Sequence, residues 1–437
     1  DVLIMQPLSR RRVEEYLLTS RRPANQMLCR ELTNKHLFDL AAAPWILIKM
    51  IEQAQNNVYP KSRAEALQNM FQEMLAKQFP ENDNRREWAE ESLYRIAYQM
   101  YQQRERTWNE EQVFAVMADV RQYRDYNLDS LYTALIDCGI LSRTIPANVR
   151  FARRGLHAFC CAEAIARMDF NERYHVIDDI TASLGRLTRL RWWQPVLILL
   201  SGLVDNPNDL LRAIDFGIDM TEGQQLFVMA RCLLEIDPKR VDANVRDNVV
   251  NALIWRLHGE TERRVDRRAR AANFLGQLNA TAAADNLARI ALSIDLPEET
   301  NQSEAADLLP GTLQSEPNDI PGAGDSLVRL EAAMALAEIM STQYTELKEI
   351  ADEYTERGYV VVAELYRVLE LWMKKDVAGL ARRLRRPDAH PGIRAISSYA
   401  LGNIGTSRAN GLLIATFFEA NETVETKIPA NLRWALT

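Results

Sequence analysis

The sequence predicts a mostly α-helical chain: a helical subdomain, a winged-helix domain, and then an α-solenoid of stacked helical hairpins. Three observations predict it. An arginine-led phrase recurs in the second half as RARAANFLGQL, RLEAAMALAEI and RAISSYALGNI, from Arg268, Arg329 and Arg394. Residues 110–168 read in the order helix, helix, β-hairpin, helix. Elsewhere apolar residues recur at the three- and four-residue spacing of amphipathic helices.

In each copy of the phrase a leucine follows the arginine by seven positions (Leu275, Leu336, Leu401), and an aliphatic residue comes three later (Leu278, Ile339, Ile404). Small residues at Ala271/Ala272, Ala332/Ala333 and Ser397/Ser398 line the inner face, so a neighbouring helix can approach closely. The phrase is thus the second helix of a repeated hairpin, and it resembles HEAT repeats of the short bacterial kind. RWAL from Arg433 starts a fourth copy, 39 residues after Arg394, close to the period of about 40 expected for such units. The chain is expected to end inside the array, and its start at Asp1, on what reads as the tail of a strand, is expected to be a cut as well. Residues 297–326, rich in Pro, Gly and acids, predict a flexible insertion. Without it, Arg268 and Arg329 stand about one repeat apart. The 65 residues from Arg329 to Arg394 leave room for a degenerate unit around 360–371.

Residues 1–105 predict helices over 12–18, 27–40, 45–55, 64–79 and from Trp88 onward. The first stripe to stand out is Leu28, Leu32 and Leu37, and the next is Leu67, Phe71, Met74 and Leu75. Pro44 sits at a helix start, where a missing N–H costs nothing; residues 81–86 are a polar break. In 106–170, helices over 111–120 and 128–140 end at Gly139. ILSRT and VRFAR then form two strands around a Pro146-Ala147-Asn148 turn, and LHAFCCAEAIARM is a helix. This is the order of a winged helix. The helix before the hairpin, DSLYTALIDCG, has no basic residue, so it does not read DNA as such recognition helices do. Residues 171–437 are helical hairpins throughout.

Fifty-three basic and 60 acidic residues give a formal charge of −7, which argues against a nucleic-acid binder as a whole. Two basic runs, residues 262–270 and 382–386, could lie along phosphate backbones. Few aromatics are interleaved with them, so they read as solvated faces. No signal peptide or membrane-length apolar run is present, which predicts a cytoplasmic protein without a membrane partner. The five cysteines lack metal-ligand spacing and read as reduced, buried thiols. No catalytic or metal-binding set stands out: histidines are scattered, and carboxylate pairs such as Glu90/Glu91 and Glu110/Glu111 sit at helix starts, where the helix dipole favours them.

Three phrases in the first 168 residues go further: IMQPLSRRRVEEYL, LAAAPWILIKMI and VRFARRGLHAFCCAEAI. Their order and spacing resemble the later part of a NACHT module, the nucleotide switch of STAND signalling ATPases. Phe151, Phe159 and Ala162 fit the family's winged-helix phrase. Arg153 stands where the family usually has His, and Ala158 where it has Glu. The resemblance implies that Pro44 packs against the base or sugar of a bound nucleotide. It also implies that the residue at 153 reaches the diphosphate and holds an ADP-bound resting state, a task that a guanidinium can perform bidentately. Otherwise Pro44 is a plain helix start and Arg153 a solvated strand residue. His157 lies four residues beyond the family's His and reads as structural. No G-x-x-x-x-G-K-[ST] occurs in the sequence, so the phosphate cradle and Mg²⁺ site are expected upstream, and these 437 residues should not hydrolyse ATP. The implied protein uses ATP/ADP with Mg, senses a protein or other macromolecule on its solenoid, forms homo-oligomers on activation and serves bacterial defence. Two alternatives are a HEAT scaffold that binds proteins without nucleotide, and a nucleic-acid-binding HEAT protein.

Overall fold

The computed structural model describes residues 7–422 apart from 21, 35, 81–82, 121–126, 145–147, 183–186, 215–222, 259–261, 293–322 and 342–346. The protein is mostly helical, with one small sheet among the described residues. It divides into two compact units, residues 1–249 and 250–437.

The first unit opens on helices Arg10–Thr19, Pro23–Asn34, Phe38–Ala41 and Pro44–Gln55. They share a core that includes Val13, Leu17, Leu28, Leu32, Leu37 and Met50. The sequence predicts one helix over 27–40; the structure has two. The first ends at His36, which takes a left-handed φ of 51°, and the Leu37 N–H closes back on the Leu32 carbonyl. That is the hydrogen-bond pattern of a left-handed helix stop. Leu37 still reaches the core, so the apolar stripe continues across the break although the helix does not. Arg63–Ala76 and Asn84–Gln103 follow, capped by the side chains of Ser62 and Asp83.

Next come strand β1 (Trp108–Asn109), helices Glu110–Asp119 and Leu128–Asp137, and strands β2 (Leu141–Thr144) and β3 (Asn148–Phe151). β2 and β3 are antiparallel, with Leu141 opposite Phe151 and Thr144 opposite Asn148. β1 lies on the other side of β3, with Trp108 opposite Val149. The predicted hairpin is thus present, while β1 has no counterpart in the expectation. Asn148, expected in the turn, pairs as a strand residue; the rest of that turn lies outside the described residues. Gly139, at φ 81°, turns the chain into β2. Helix Arg154–Ala166 then runs through the middle of the unit, packed by Arg63–Ala76, Asn84–Gln103 and Leu187–Leu203.

In the second unit the helices bearing the phrase, Val265–Gln277, Ala323–Ser341 and Pro391–Ile404, carry Leu275, Leu336 and Leu401 fully buried. The interval expected to hold a degenerate unit contains helix Val360–Met373. Each of the three later helices packs against the one just before it: Ala284–Leu292 on Ala323–Ser341, Leu347–Glu356 on Val360–Met373, Val377–Arg385 on Pro391–Ile404. Val265–Gln277 also packs on Ala323–Ser341, and Val360–Met373 on Pro391–Ile404. The expected insertion needs one correction: its last four residues, 323–326, belong to helix Ala323–Ser341. The rest of it, from 297, and the phrase at Arg433 lie outside the described residues.

The small residues of the phrase have a measurable reason. A β-carbon on Gly276 would sit 2.7 Å from the Cα and 2.9 Å from the Cβ of Ala335, a distance that backbone cannot yield cheaply. Gly276→Ala should therefore cost about 1–3 kcal/mol, as overpacking does, despite alanine's better helix propensity. Gly411→Ala, a helical position with open space around it, should be neutral or stabilising by up to about 1 kcal/mol. Urea unfolding followed by circular dichroism reads both.

Candidate functional site

The three separated phrases meet at one corner of the first unit. Pro44 is the first residue of its helix, after the extended Ala43. The Leu8 N–H donates to the Ala42 carbonyl at 2.8 Å, which ties residues 7–9 to this helix start. Arg153 is the N-cap residue of helix Arg154–Ala166, with φ −132° and ψ 128°. Its guanidinium carbon lies 5.1 Å from the centre of the Trp45 ring, and Trp45 in turn packs on the core of the first four helices. The two residues singled out in the sequence, Pro44 and Arg153, are thus joined through Trp45. At an exposed site a cation–π contact of this kind contributes about 0.5–1 kcal/mol.

Neither helix start is capped by a side chain. The Ile46 and Leu47 N–H groups both turn back to the Ala43 carbonyl, and Pro44 has no N–H, so the Trp45 N–H has no partner among the described residues. Helix starts carry partial positive charge and favour anions. Two of them, bridged by the exposed guanidinium of Arg153, form an electropositive corner that can bind a phosphate.

His157 is one turn further along and faces inward. It is only 7% exposed, its ring stacks on Phe151 at 4.8 Å and lies 4.6 Å from Tyr101. Burial pushes its pKa down to about 4; a hydrogen bond to the Ala97 backbone opposes that, and the charge of Arg106 adds to it. The imidazole is therefore neutral at pH 7 and does not serve as a charged phosphate ligand. Ala158, where the NACHT phrase has Glu, is buried at 2% exposure, and Phe159 is wholly buried, 5.6 Å from Phe71. A carboxylate at 158 would need a buried partner.

An ion cluster whose buried member is Glu235 braces this region. Arg63 reaches Asp39 at 2.7 Å and Glu235 at 2.5 Å, and its backbone N–H also donates to Glu235. Burial pushes the Glu235 carboxyl up, to about 7, against the pull of Arg63. All five cysteines are buried and unpaired. Among the described residues no cluster of His, Cys, Asp or Glu could hold a metal ion, and no helix is long and apolar enough to cross a membrane. No family model and no curated protein matches the chain.

His157 gives the unit a pH signature. Its unfolded pKa is near 6.5 and its folded one about 4, so below pH 6.5 the unfolded chain takes up a proton that the folded chain refuses. The contribution is intact above pH 6.5 and is lost as pH falls toward 4. Between pH 7 and pH 5 the loss amounts to about 2 kcal/mol. His157→Phe should flatten the pH dependence of urea unfolding by that amount; an unaltered slope would show that the imidazole is solvated.

Proposed function

We propose that this chain is the regulatory and sensor portion of a NACHT-type STAND signalling ATPase. In this reading residues 1–105 end the NACHT module and form its helical subdomain, 106–170 are a winged helix, and 171–437 are a HEAT-like solenoid. The observation that carries it is the corner: three phrases, up to about 145 residues apart in sequence, come together as Leu8–Ala42, Pro44–Trp45 and Arg153. Two further features support it. The order helix, β1, helix, helix, β2, β3 is that of a winged helix, and the phrase helices pack on one another in the manner of repeats.

Pro44 would lie along the base or sugar of the nucleotide and Arg153 would pair with the diphosphate. The phosphate cradle and Mg²⁺ site would come from the nucleotide-binding module. At rest, the corner closes on ADP. A macromolecule bound to the solenoid favours the open state and shifts the population toward nucleotide exchange and self-assembly. In a bacterial cytoplasm such a device would serve defence signalling.

The test is the ADP off-rate of protein that carries the nucleotide-binding module. A sheltered, charge-assisted pair is worth enough that its loss should speed release about tenfold or more. Arg153→Ala should therefore release ADP at least that much faster than the parent, and Arg153→Lys should fall between them. Equal off-rates for all three would leave a HEAT scaffold, with Arg153 merely stacked on Trp45.

A further inference from the structure

Behind the corner, also within the first unit, is a cleft of about 880 Å³, in the size range of small-molecule sites. Six arginines line it: Arg63, Arg106, Arg150, Arg154, Arg191 and Arg231. No aspartate or glutamate does. Only Arg63 is neutralised, by Asp39 and Glu235. Arg150, Arg154, Arg191 and Arg231 pair with no carboxylate among the described residues. Arg231 is half-buried; burial, and then the like charge of Arg63, pull its pKa down against the opposing charge of Asp39. Arg150, Arg154 and Arg191 are exposed, so water screens their mutual repulsion, but the convergence of guanidinium groups makes the cleft locally electropositive and attractive to an anion.

The remaining wall is aromatic and aliphatic, with Tyr101, Phe151 and Trp192 beside Leu67, Ile198 and Leu199. Trp192 donates its indole N–H to the Tyr101 carbonyl at 2.9 Å, and Arg106 lies over the indole ring at 5.3 Å. His157 closes the inner end. Its hydrogen bond to the Ala97 backbone occupies one ring nitrogen, and Nε2 has no partner among the described residues. That nitrogen carries the lone pair of a neutral imidazole, so it can accept from a hydroxyl or amino group.

We propose that this cleft binds a small molecule bearing two or more phosphates, of nucleotide size, with its anionic end among Arg150, Arg154, Arg191 and Arg231 and a hydroxyl or amino donor at His157. Pro44, Trp45 and Arg153 do not line the cleft, although Ala152, Arg154 and Gly155 do. The cleft thus adjoins the corner at the start of helix Arg154–Ala166 but uses different side chains, and the proposal does not depend on the switch reading. Guanidinium forks suit phosphate oxygens geometrically as well as by charge. A run of single-stranded nucleic acid fits poorly, because the lining rings of Tyr101, Phe151 and His157 are buried and leave only Trp192 for a base to stack on.

The experiment is titration calorimetry of the 437-residue chain with ATP, inorganic tripolyphosphate, adenosine and a single-stranded oligonucleotide. ATP and tripolyphosphate should bind, more weakly as salt is raised, and adenosine should bind at least tenfold more weakly than ATP. Arg150→Gln/Arg191→Gln changes two exposed side chains and should weaken both anions at least tenfold while leaving the melting temperature within a degree or two. His157→Phe should weaken ATP but not tripolyphosphate. Three results would overturn the assignment: no heat with either anion at millimolar concentration, equal affinity in parent and double variant, or an oligonucleotide that binds more tightly than ATP. Loss of binding in Arg153→Gln but not in the double variant would put the anion at the corner instead, and would likewise overturn it.

Discussion

Helix Arg154–Ala166 is buried on every side from Leu156 to Glu163, and the first unit is built around the burial. Leu156, Phe159, Cys160, Cys161, Ala162 and Ile165 have no measurable exposure, and Ala158 has 2%. Such a helix must be narrow. Alanine and cysteine at 158 and 160–162 let three other helices close on it at once, which larger side chains would prevent. Because its axis is fixed by packing along its length, its first turn is fixed too. The backbone at Arg153, its N-cap, is therefore held in place, and the strand that feeds it, β3, is held on both sides by β1 and β2. The corner at Trp45 is a consequence of that core.

Arginine does two different jobs in this molecule. In the linear basic runs it is locally paired: Arg264 with Asp266, Arg267 with Glu262, Arg383 and Arg386 with Glu364. Those charges are offset by carboxylates; the Arg264–Asp266 pair is exposed and adds little to stability, while Arg267 and Glu262 are both buried. In the cleft of the first unit the arginines come singly from six different segments and mostly lack acids. The contrast is physical. A run of charges along a helix meets carboxylates close by in its own segment or on the neighbouring helix, whereas a set of solitary arginines becomes a site only when tertiary packing gathers it.

That contrast also explains what could be read from the sequence. The phrase helices were legible because their determinants are local and periodic: Leu275, Leu336 and Leu401 at one offset, and small residues where a helix must come close, as Gly276 does to Ala335. The hairpin was legible from its alternation and turn formers. Pro44 and Arg153 were found through family-like phrases, and their shared neighbour Trp45 lay unnoticed beside Pro44. The two-residue strand β1 was not legible, because Trp108 and Asn109 become a strand only by pairing with Val149 and Asn148 some forty residues on. The break at His36 was hidden by a stripe that keeps helical spacing across it. The cleft left no linear signal, since Arg63 and Arg231 stand 168 positions apart.

The central claim is that the segments meeting at Trp45 form the surface that closes on ADP. Photolabelling with an azido-ADP, in protein carrying the nucleotide-binding module, followed by peptide mapping, tests it most directly. The account predicts label in the stretch around Ala43, Pro44 and Trp45 and at the junction around Arg153, both protected by excess ADP. Label confined to other segments, with these two unmodified, would contradict it.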